Sequence, residues 1–512
     1  MEFHADVDGN LRHMKGWCYF LLFSCMCSFP TARAKLTKTM RATDSPSENV
    51  KSPASIVKAP CGPRYGRPSD QFGPPTALFS PELALLKYDL GHLDAFMPDS
   101  MTADLVFNLI ENATNFFDHE FGRRAVLRPI LRGLLGLGGH GERRIATTDG
   151  TWLEETFGCP IIKINDEPGR GGDPFLQGLV AYSEAIAQEK VRSLTMSIPS
   201  YFNASKCHPF LDQSNLPVVL LAIAGNRLIV STAVYTDSIY ADELLSVSLR
   251  FGSHAADNAL YIGRVFMAIK RCMERLSSLY RNLRTSTRPT PAAKVLWPNP
   301  TSDPPGSIEG IPELEFFCKV DRSTGDSINQ TVIDEENKRH AMYLARMRTE
   351  DGTSTTEVFV KFAVTYNATA HRLLANHKPP LAPALHSCTR VIGDMFMVVM
   401  EYLPGTPLLD VWLPIPASVH EAIRRDVPRA LELLHEQDLV FGDLREGNLL
   451  YLPEDGGRIL LVDFDRVGRD GKDRYSACLN PDAELGVKRL QIMEKSHDTE
   501  NFGRLVDRFF KL

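Results

Sequence analysis

The chain has 512 residues, which at roughly 100–200 residues per domain allows about two to four domains. Hydrophobic residues at 43% and charged residues at 23% exclude global disorder, and a net charge of −6 excludes a chain built overall to coat nucleic acid. Ten scattered cysteines without a CxxC pair indicate neither a disulfide scaffold nor a cysteine-based zinc site, and no apolar run reaches the ~18 residues of a membrane span.

The longest apolar stretch is Trp17 to Phe29, with Arg12 and Lys15 before it and Ala32-Arg33-Ala34 after it. This is the outline of a secretory signal, although Glu2, Asp6 and Asp8 in the long preceding stretch are atypical of one. The expected location is cytoplasmic or nuclear, with secretion through 17–29 as the alternative. Residues 35 to about 78 are rich in Ser, Pro, Lys and Thr, so 1–79 reads as a disordered or targeting segment.

Residues 80–285 alternate helix and strand signals. RRAVLRPILRGLL (123–135) has an amphipathic helix pattern and runs into Gly136–Gly141, which matches G-x-G-x-x-G letter for letter. A dinucleotide site needs a strand before those glycines and a helix after. Here a helix precedes and a strand pattern (143–152) follows, so the glycines read as a helix stop and turn. Next come a strand pattern in GCPIIKIN (158–165) and GRGGDPFLQGLVAY (169–182). A hairpin follows, Pro217–Ala224 with Arg227–Val234, closed by Gly-Asn. A strand over 244–251 and a long helix over about 258–284 complete the region. That helix carries Val265, Ile269, Cys272, Leu276, Leu279 and Leu283 on one face, with Arg264, Lys270, Arg271, Arg275, Arg281 and Arg284 around the rest. The basic remainder would meet nucleic-acid phosphates, but a solvated face is the commoner meaning of such a pattern. The prolines of 286–311 forbid regular structure and read as a linker.

The region 312–512 carries the strongest signal: VFGDLREGNLLYL followed by RILLVDFDRVG. The apolar runs Leu449–Leu452 and Ile459–Val462 flank a Pro-Glu-Asp-Gly-Gly turn, a hairpin pattern. Asp443 and Asn448 lie just before the first strand and Asp463 just after the second, so the hairpin should gather three oxygen-bearing side chains at one end. Phosphoryl transfer needs such a set. Mg²⁺ takes hard oxygen ligands, for which Asn448 and Asp463 are suited, and an acid must orient the attacking hydroxyl, for which Asp443 is suited. The competing reading of each acid alone is a solvated turn residue.

These residues resemble the protein-kinase superfamily: D-L-x-x-x-x-N in Asp443, Leu444 and Asn448, and the first two letters of D-F-G in Asp463 and Phe464, with Asp465 in place of the glycine. FGDLR…N with DFD and a short C-terminal lobe looks like the fungal-type protein kinase family, and the loop also resembles that of aminoglycoside and choline phosphotransferases. The resemblance implies further roles. Lys361 in VFVKF, on the second strand of a hairpin with 342–347, would contact the α/β-phosphates. Met400 in MFMVVMEYLPG (395–405) would lie beside the adenine, with Glu401 and Leu403 offering backbone groups to its edge. AHRLLAN (370–376) would be a short helix and VPRALELLHEQDLV (427–440) the helix leading to the catalytic turn. Arg445 would neutralise the transferring phosphoryl. Asp498, opening a helix over 495–510, would brace the catalytic turn, although Asp there is equally a helix cap.

Several departures weaken the resemblance. Val320–Met347 contains only Gly325, so a Gly-rich loop is missing. No acid lies in Phe362–Pro379 to pair with Lys361, which would need another partner such as Asp463. Phe441-Gly442 replaces the usual His or Arg before the catalytic Asp, and no A-P-E segment follows. The order of elements in 80–285 resembles a PD-(D/E)xK nuclease-like fold. Asp149 matches its first acid and Gln177 and Tyr182 its Q-x4-Y helix. Lys163-Ile164-Asn165 stands where E-x-K is needed, so that domain is expected to be non-catalytic.

The expected architecture is α+β: a two-lobed kinase-like domain at the C-terminus preceded by an α/β nuclease-like domain. The expected function is ATP- and Mg²⁺-dependent phosphotransfer to a hydroxyl on a protein. The rivals are a pseudokinase that binds nucleotide or scaffolds a complex, and a small-molecule kinase.

Overall fold

The computed structural model describes residues 73–118, 120–137, 161–165, 173–195, 213–285, 296–307, 311–320, 341–348, 354–411, 415–454, 457–479 and 485–510. They fall into two compact units that divide between Pro305 and Gly306. The architecture is mixed α+β, with distinct helical and sheet regions. Among the described residues no helix is long and apolar enough to cross a membrane. The apolar segment 17–29, the strand expected over 143–152 and Asp149 lie outside the described residues.

In the first unit, helix α1 (Pro81–Gly91) starts where Ser80 Oγ accepts from the Leu83 amide and a proline fills the first turn. Asp99 caps α2 (Ser100–Thr114) in the same way through Thr102. After α3 (Glu120–Leu135) come β1 (Ile161–Asn165), α4 (Pro174–Thr195), β2 (Val218–Ala224), β3 (Arg227–Tyr235), β4 (Ile239–Ser248) and α5 (Ala255–Thr285). The strands run in the order β1-β2-β3-β4, with β1 parallel to β2 and the rest antiparallel. The β2–β3 hairpin turns at Gly225-Asn226, where Gly225 has φ 55. Strand β4 begins five residues before the expected Leu244, because Ile239, Tyr240 and Ala241 are buried and pair with the end of β3 beyond a bulge at Val230/Ser231.

This unit starts before residue 80. The Thr76 amide donates to Asp242 at 2.6 Å, and its hydroxyl reaches Thr232 at 2.7 Å and Asp242 at 2.9 Å. The expected linker is likewise not free throughout: Leu296 and Trp297 are buried, and the Asn299 amide donates to the Leu78 carbonyl at 2.7 Å.

The apolar face of α5 is in the core, with Val265, Ile269, Cys272 and Leu276 buried. Its basic remainder is partly spent within the unit. Arg264 pairs with Asp94 at 2.7 Å, and Arg275 and Arg271 flank the buried Asp89 at 2.9 and 3.7 Å. Two of the six cations of this face are thus drawn to a buried carboxylate of the same unit. Of the residues matched to the nuclease-like pattern, Tyr182 donates its hydroxyl to the Leu216 carbonyl at 2.6 Å and Gln177 is buried.

The second unit opens with an antiparallel sheet in the order β5-β6-β7-β9-β8: β5 (Leu314–Lys319), β6 (Met342–Arg348), β7 (Thr355–Ala363), β8 (Leu385–Val391) and β9 (Met395–Glu401). Alternation along β7 buries Val358, Val360 and Phe362 on one face and sets Lys361 on the other. Helix α6 (Ala368–Ala375) follows β7, capped by Asn367, whose side chain accepts from the Ala370 amide.

A helix-rich part follows, with β10 (Thr406–Pro407), α7 (Ala417–Glu436), β11 (Leu439–Val440), β12 (Leu449–Leu452), β13 (Arg458–Leu461), β14 (Gly468–Arg469) and α8 (Lys495–Phe510). Helix α7 starts ten residues before the expected Val427 and runs through Pro428. The reason is its apolar stripe: Val419, Ala422, Ile423, Val427, Ala430, Leu431 and Leu434 are all buried in one cluster with Leu449, Ile459 and Leu461 of the hairpin. Burial of that face outweighs the proline's lost hydrogen bond.

Candidate active site

The hairpin of β12 and β13 pairs Leu449 with Leu461, and the Val462 amide donates to the Asn448 carbonyl at 3.0 Å. The residue before one strand and the residues after the other are therefore neighbours. Asn448, 4% exposed, donates its side-chain amide to the Asp443 carbonyl at 2.9 Å, which draws the turn 443–448 into a closed loop.

Lys361 reaches this end of the hairpin from the sheet. Its Nζ lies 2.7 Å from Asp463 Oδ1 and 2.7 Å from Asp465 Oδ2. Burial pushes the ammonium's pKa down, but the two carboxylates more than offset this and hold it above its ordinary value. Burial raises the Asp465 carboxyl, with the Asp463 charge adding to the rise and Lys361 opposing it. Asp463 itself has φ 70, in the left-handed region where Asp is better tolerated than most residues.

The Asp443 carboxylate, 2% exposed, is held by two arginines: Arg445 at 3.2 Å and Arg466 at 3.1 Å. Arg445 therefore sits on Asp443, and Arg466, three residues beyond Asp463, ties the two acidic turns together. Asp498 is fully buried and accepts from the Phe441 amide at 2.7 Å, the Gly442 amide at 2.9 Å and His435 at 3.0 Å. Its carboxylate thus braces the backbone just before Asp443. The glycine at 442 has a steric cause: its φ is +73, and a Cβ there would come within 2.5 Å of Met493 and 3.0 Å of the Arg466 carbonyl.

The residues proposed for an adenine lie on or after β9. Met400 is buried and pairs with Phe359 and Leu385. The Glu401 amide already donates to the Ala384 carbonyl at 2.8 Å, and the Leu403 carbonyl accepts from the Gly405 amide at 2.8 Å. The Glu401 amide is therefore engaged within the sheet. A separate groove of about 520 Å³ lies between α7 and α8, lined by Leu431, Glu432, His435, Glu436 and Phe502, and none of the Lys361 cluster faces it.

Sequence reasoning missed three participants. Asp465 stood out as a departure from glycine, and the lack of an acid in 362–379 was the signal that it had a purpose. Arg466 gave no signal, because an arginine after two acids reads as a surface pair. His371 gave none either. It is fully buried on α6, its ring stacked on Phe464 at 4.6 Å, with Nε2 donating to the Pro383 carbonyl at 2.8 Å and Nδ1 accepting from the Tyr366 hydroxyl at 2.7 Å.

Burial drives the His371 pKa down to about 4, with the Pro383 hydrogen bond opposing and Arg372 assisting. A group whose folded pKa lies below its ordinary 6.5 gives the unfolded chain the extra proton between those values. Stability is therefore insensitive to this group above pH 6.5 and falls as the pH drops toward 4, by up to about 3 kcal/mol. Urea unfolding across this range should show a shallower pH slope for His371→Gln than for the wild type. Equal slopes would assign the acid sensitivity elsewhere.

No protein-family model matches the chain. Over 95 residues, 18% of this chain and 13% of the relative, it is 34% identical to protein kinase C, eye isozyme, of Drosophila melanogaster. A solved structure, that of the Cydia pomonella granulovirus kinase PK-1, aligns at 21% identity with a TM-score of 0.26, covering 33% of this chain and 63% of that one. The chain thus spans less than two thirds of either protein. The 95-residue match is a weak, partial resemblance to one protein kinase. Among the described residues no group of three or more His, Cys, Asp or Glu is placed to hold a metal ion.

Proposed function

We propose that residues 312–512 bind a magnesium nucleoside triphosphate and transfer its γ-phosphoryl to a hydroxyl, with a protein as the acceptor. The reading is carried by one observation: a strand lysine, Lys361, meets Asp463 at 2.7 Å at the end of a hairpin that also places Asn448 beside Asp443. The residues fit the group in their donor chemistry. The Asn448 amide nitrogen is spent on the Asp443 carbonyl, which leaves its oxygen for a hard cation, and Asp463 supplies a carboxylate. Magnesium bound with a nucleotide takes one or two carboxylates and fills its shell with water and phosphate oxygens, so an all-protein cage is not required. When bound, the ion would neutralise charge on the phosphates.

In this reading Lys361 aims its ammonium at the α/β-phosphates, and Asp443 accepts the hydrogen bond of the acceptor hydroxyl and takes its proton. Arg445 turns from Asp443 toward the transferring group. Met400 lies against the base. The first unit, which reaches from before residue 80 to Pro305, is a separate domain of unassigned role. Isothermal titration of the full chain with Mg-ATP should show one saturable site at micromolar to millimolar affinity, weakened at least tenfold by Lys361→Met. A wild-type chain that takes up no Mg-ATP removes the proposal.

A second reading has its own observation. Asp443 is clamped by Arg445 and Arg466 together, so its carboxylate is occupied. A nucleotide-binding module without transfer activity would tolerate that arrangement. It would bind Mg-ATP as above but show no autophosphorylation.

A further inference from the structure

We propose that Asp465 is the positioning residue for Lys361, taking from the turn after Asp463 the task that a helix glutamate performs in the kinases this region resembles. The proposal rests on the nucleotide-binding reading above and deepens it.

A buried ammonium needs a carboxylate, because taking it out of water costs several kcal/mol that only a close opposite charge offsets. Lys361 has two, at equal distances of 2.7 Å. They cannot be equivalent once a metal nucleotide arrives. Asp463 is the acid that faces the metal in the proposed function, and a cation draws its charge away from the lysine. An ammonium left with no other partner would follow the phosphates wherever they settle. One held by a second acid stays aimed. No acid in Phe362–Pro379 can do this, so the holder must come from another element, and Asp465 is already in contact.

The turn that carries Asp465 is fixed well enough for the purpose. Phe464 is buried between His371, stacked at 4.6 Å, and Phe441, edge-on at 5.7 Å. The Asn367 amide donates to the Phe464 carbonyl at 3.1 Å, and the Thr365 hydroxyl to the Asp465 carbonyl at 2.8 Å. Both donors flank the start of α6. The helix that lacks an acid is thus bonded to the turn that has one. Asp465 directs Oδ2 at Lys361 at 2.7 Å.

The test uses the purified full chain and two readouts. The first needs no nucleotide: the acylation rate of Lys361 by a small N-hydroxysuccinimide ester, followed by peptide mass spectrometry. Asp465→Asn should raise it at least fivefold, because an ammonium held by one carboxylate instead of two leaves its place and meets the reagent more often. The second is Mg-ATP titration with steady-state kinetics. Asp465→Asn should weaken affinity and raise KM for ATP at least tenfold while kcat changes less than threefold, and Asp465→Glu, which keeps the charge, should recover most of the loss. Thermal unfolding within a few degrees of the wild type excludes a folding defect as the cause. An unchanged acylation rate, or an Asn variant that binds Mg-ATP as tightly as a binding-competent wild type, overturns the assignment. A wild type that binds no nucleotide overturns the parent reading instead, while the acylation rates still report whether Asp465 holds the lysine.

Discussion

Asp443→Asn is expected to lower phosphotransfer by about 10³-fold while leaving Mg-ATP affinity within about threefold of the wild type. A positioned general base contributes roughly 10²–10⁴-fold to such a reaction. The amide keeps the shape of the carboxylate but cannot take the proton. The split between transfer and affinity is the point of the test, because Asp443 is 2% exposed and its carboxylate holds Arg445 and Arg466 rather than facing Lys361. An autophosphorylation assay with radiolabelled ATP, run beside a binding titration, reads both. Equal transfer by variant and wild type excludes Asp443 as the base. Binding without transfer in both would favour the nucleotide-binding module, with the two arginines as its explanation.

Asp498→Ala is expected to destabilise the second unit by about 3–5 kcal/mol and to lower transfer by at least tenfold. Asp498 is fully buried and accepts from two backbone amides and His435. Removing it leaves two buried donors unpaired, each costing about 1–3 kcal/mol, and frees the backbone that carries Asp443. In a domain of this size 1 kcal/mol corresponds to roughly 2–4 °C in Tm. Calorimetry should therefore show the second unit unfolding about 6–20 °C lower, with the first unit unchanged. Asp498→Asn restores only part of this, because one amide side chain offers a single acceptor oxygen to two donors. A Tm within 2 °C of the wild type would reduce Asp498 to an ordinary helix cap.

Much of the second unit was legible in the sequence because its elements are local. The β12–β13 hairpin follows from two apolar runs around a Pro/Gly turn, and helix 495–510 from its spacing and opening acid. The ends of a hairpin must meet, so the nearness of Asn448 and Asp463 was also legible. The start of α7 was not, since proline at 428 marks a helix start by local rules and only the packed stripe from Val419 to Leu434 shows that the helix passes through it. The beginning of the first unit was obscured in the same way. Thr76 lies in a polar stretch, and its place is set by Asp242, distant in the chain.

The sequence by itself determined which chemical groups are present and which are missing: the lysine of VFVKF, the D-x4-N and DFD residues, and no acid in the helix after that lysine. Those are properties of composition and short-range order. Only the tertiary structure decided who partners whom. That Lys361 sits between Asp463 and Asp465, that Asp443 faces Arg466 as well as its near neighbour Arg445, and that a histidine on α6 stacks on Phe464 depend on side chains brought together across 23 to more than 100 residues. No periodicity encodes such contacts. They are fixed by how buried charges find opposite charges once the hairpin, the sheet and the two long helices have packed.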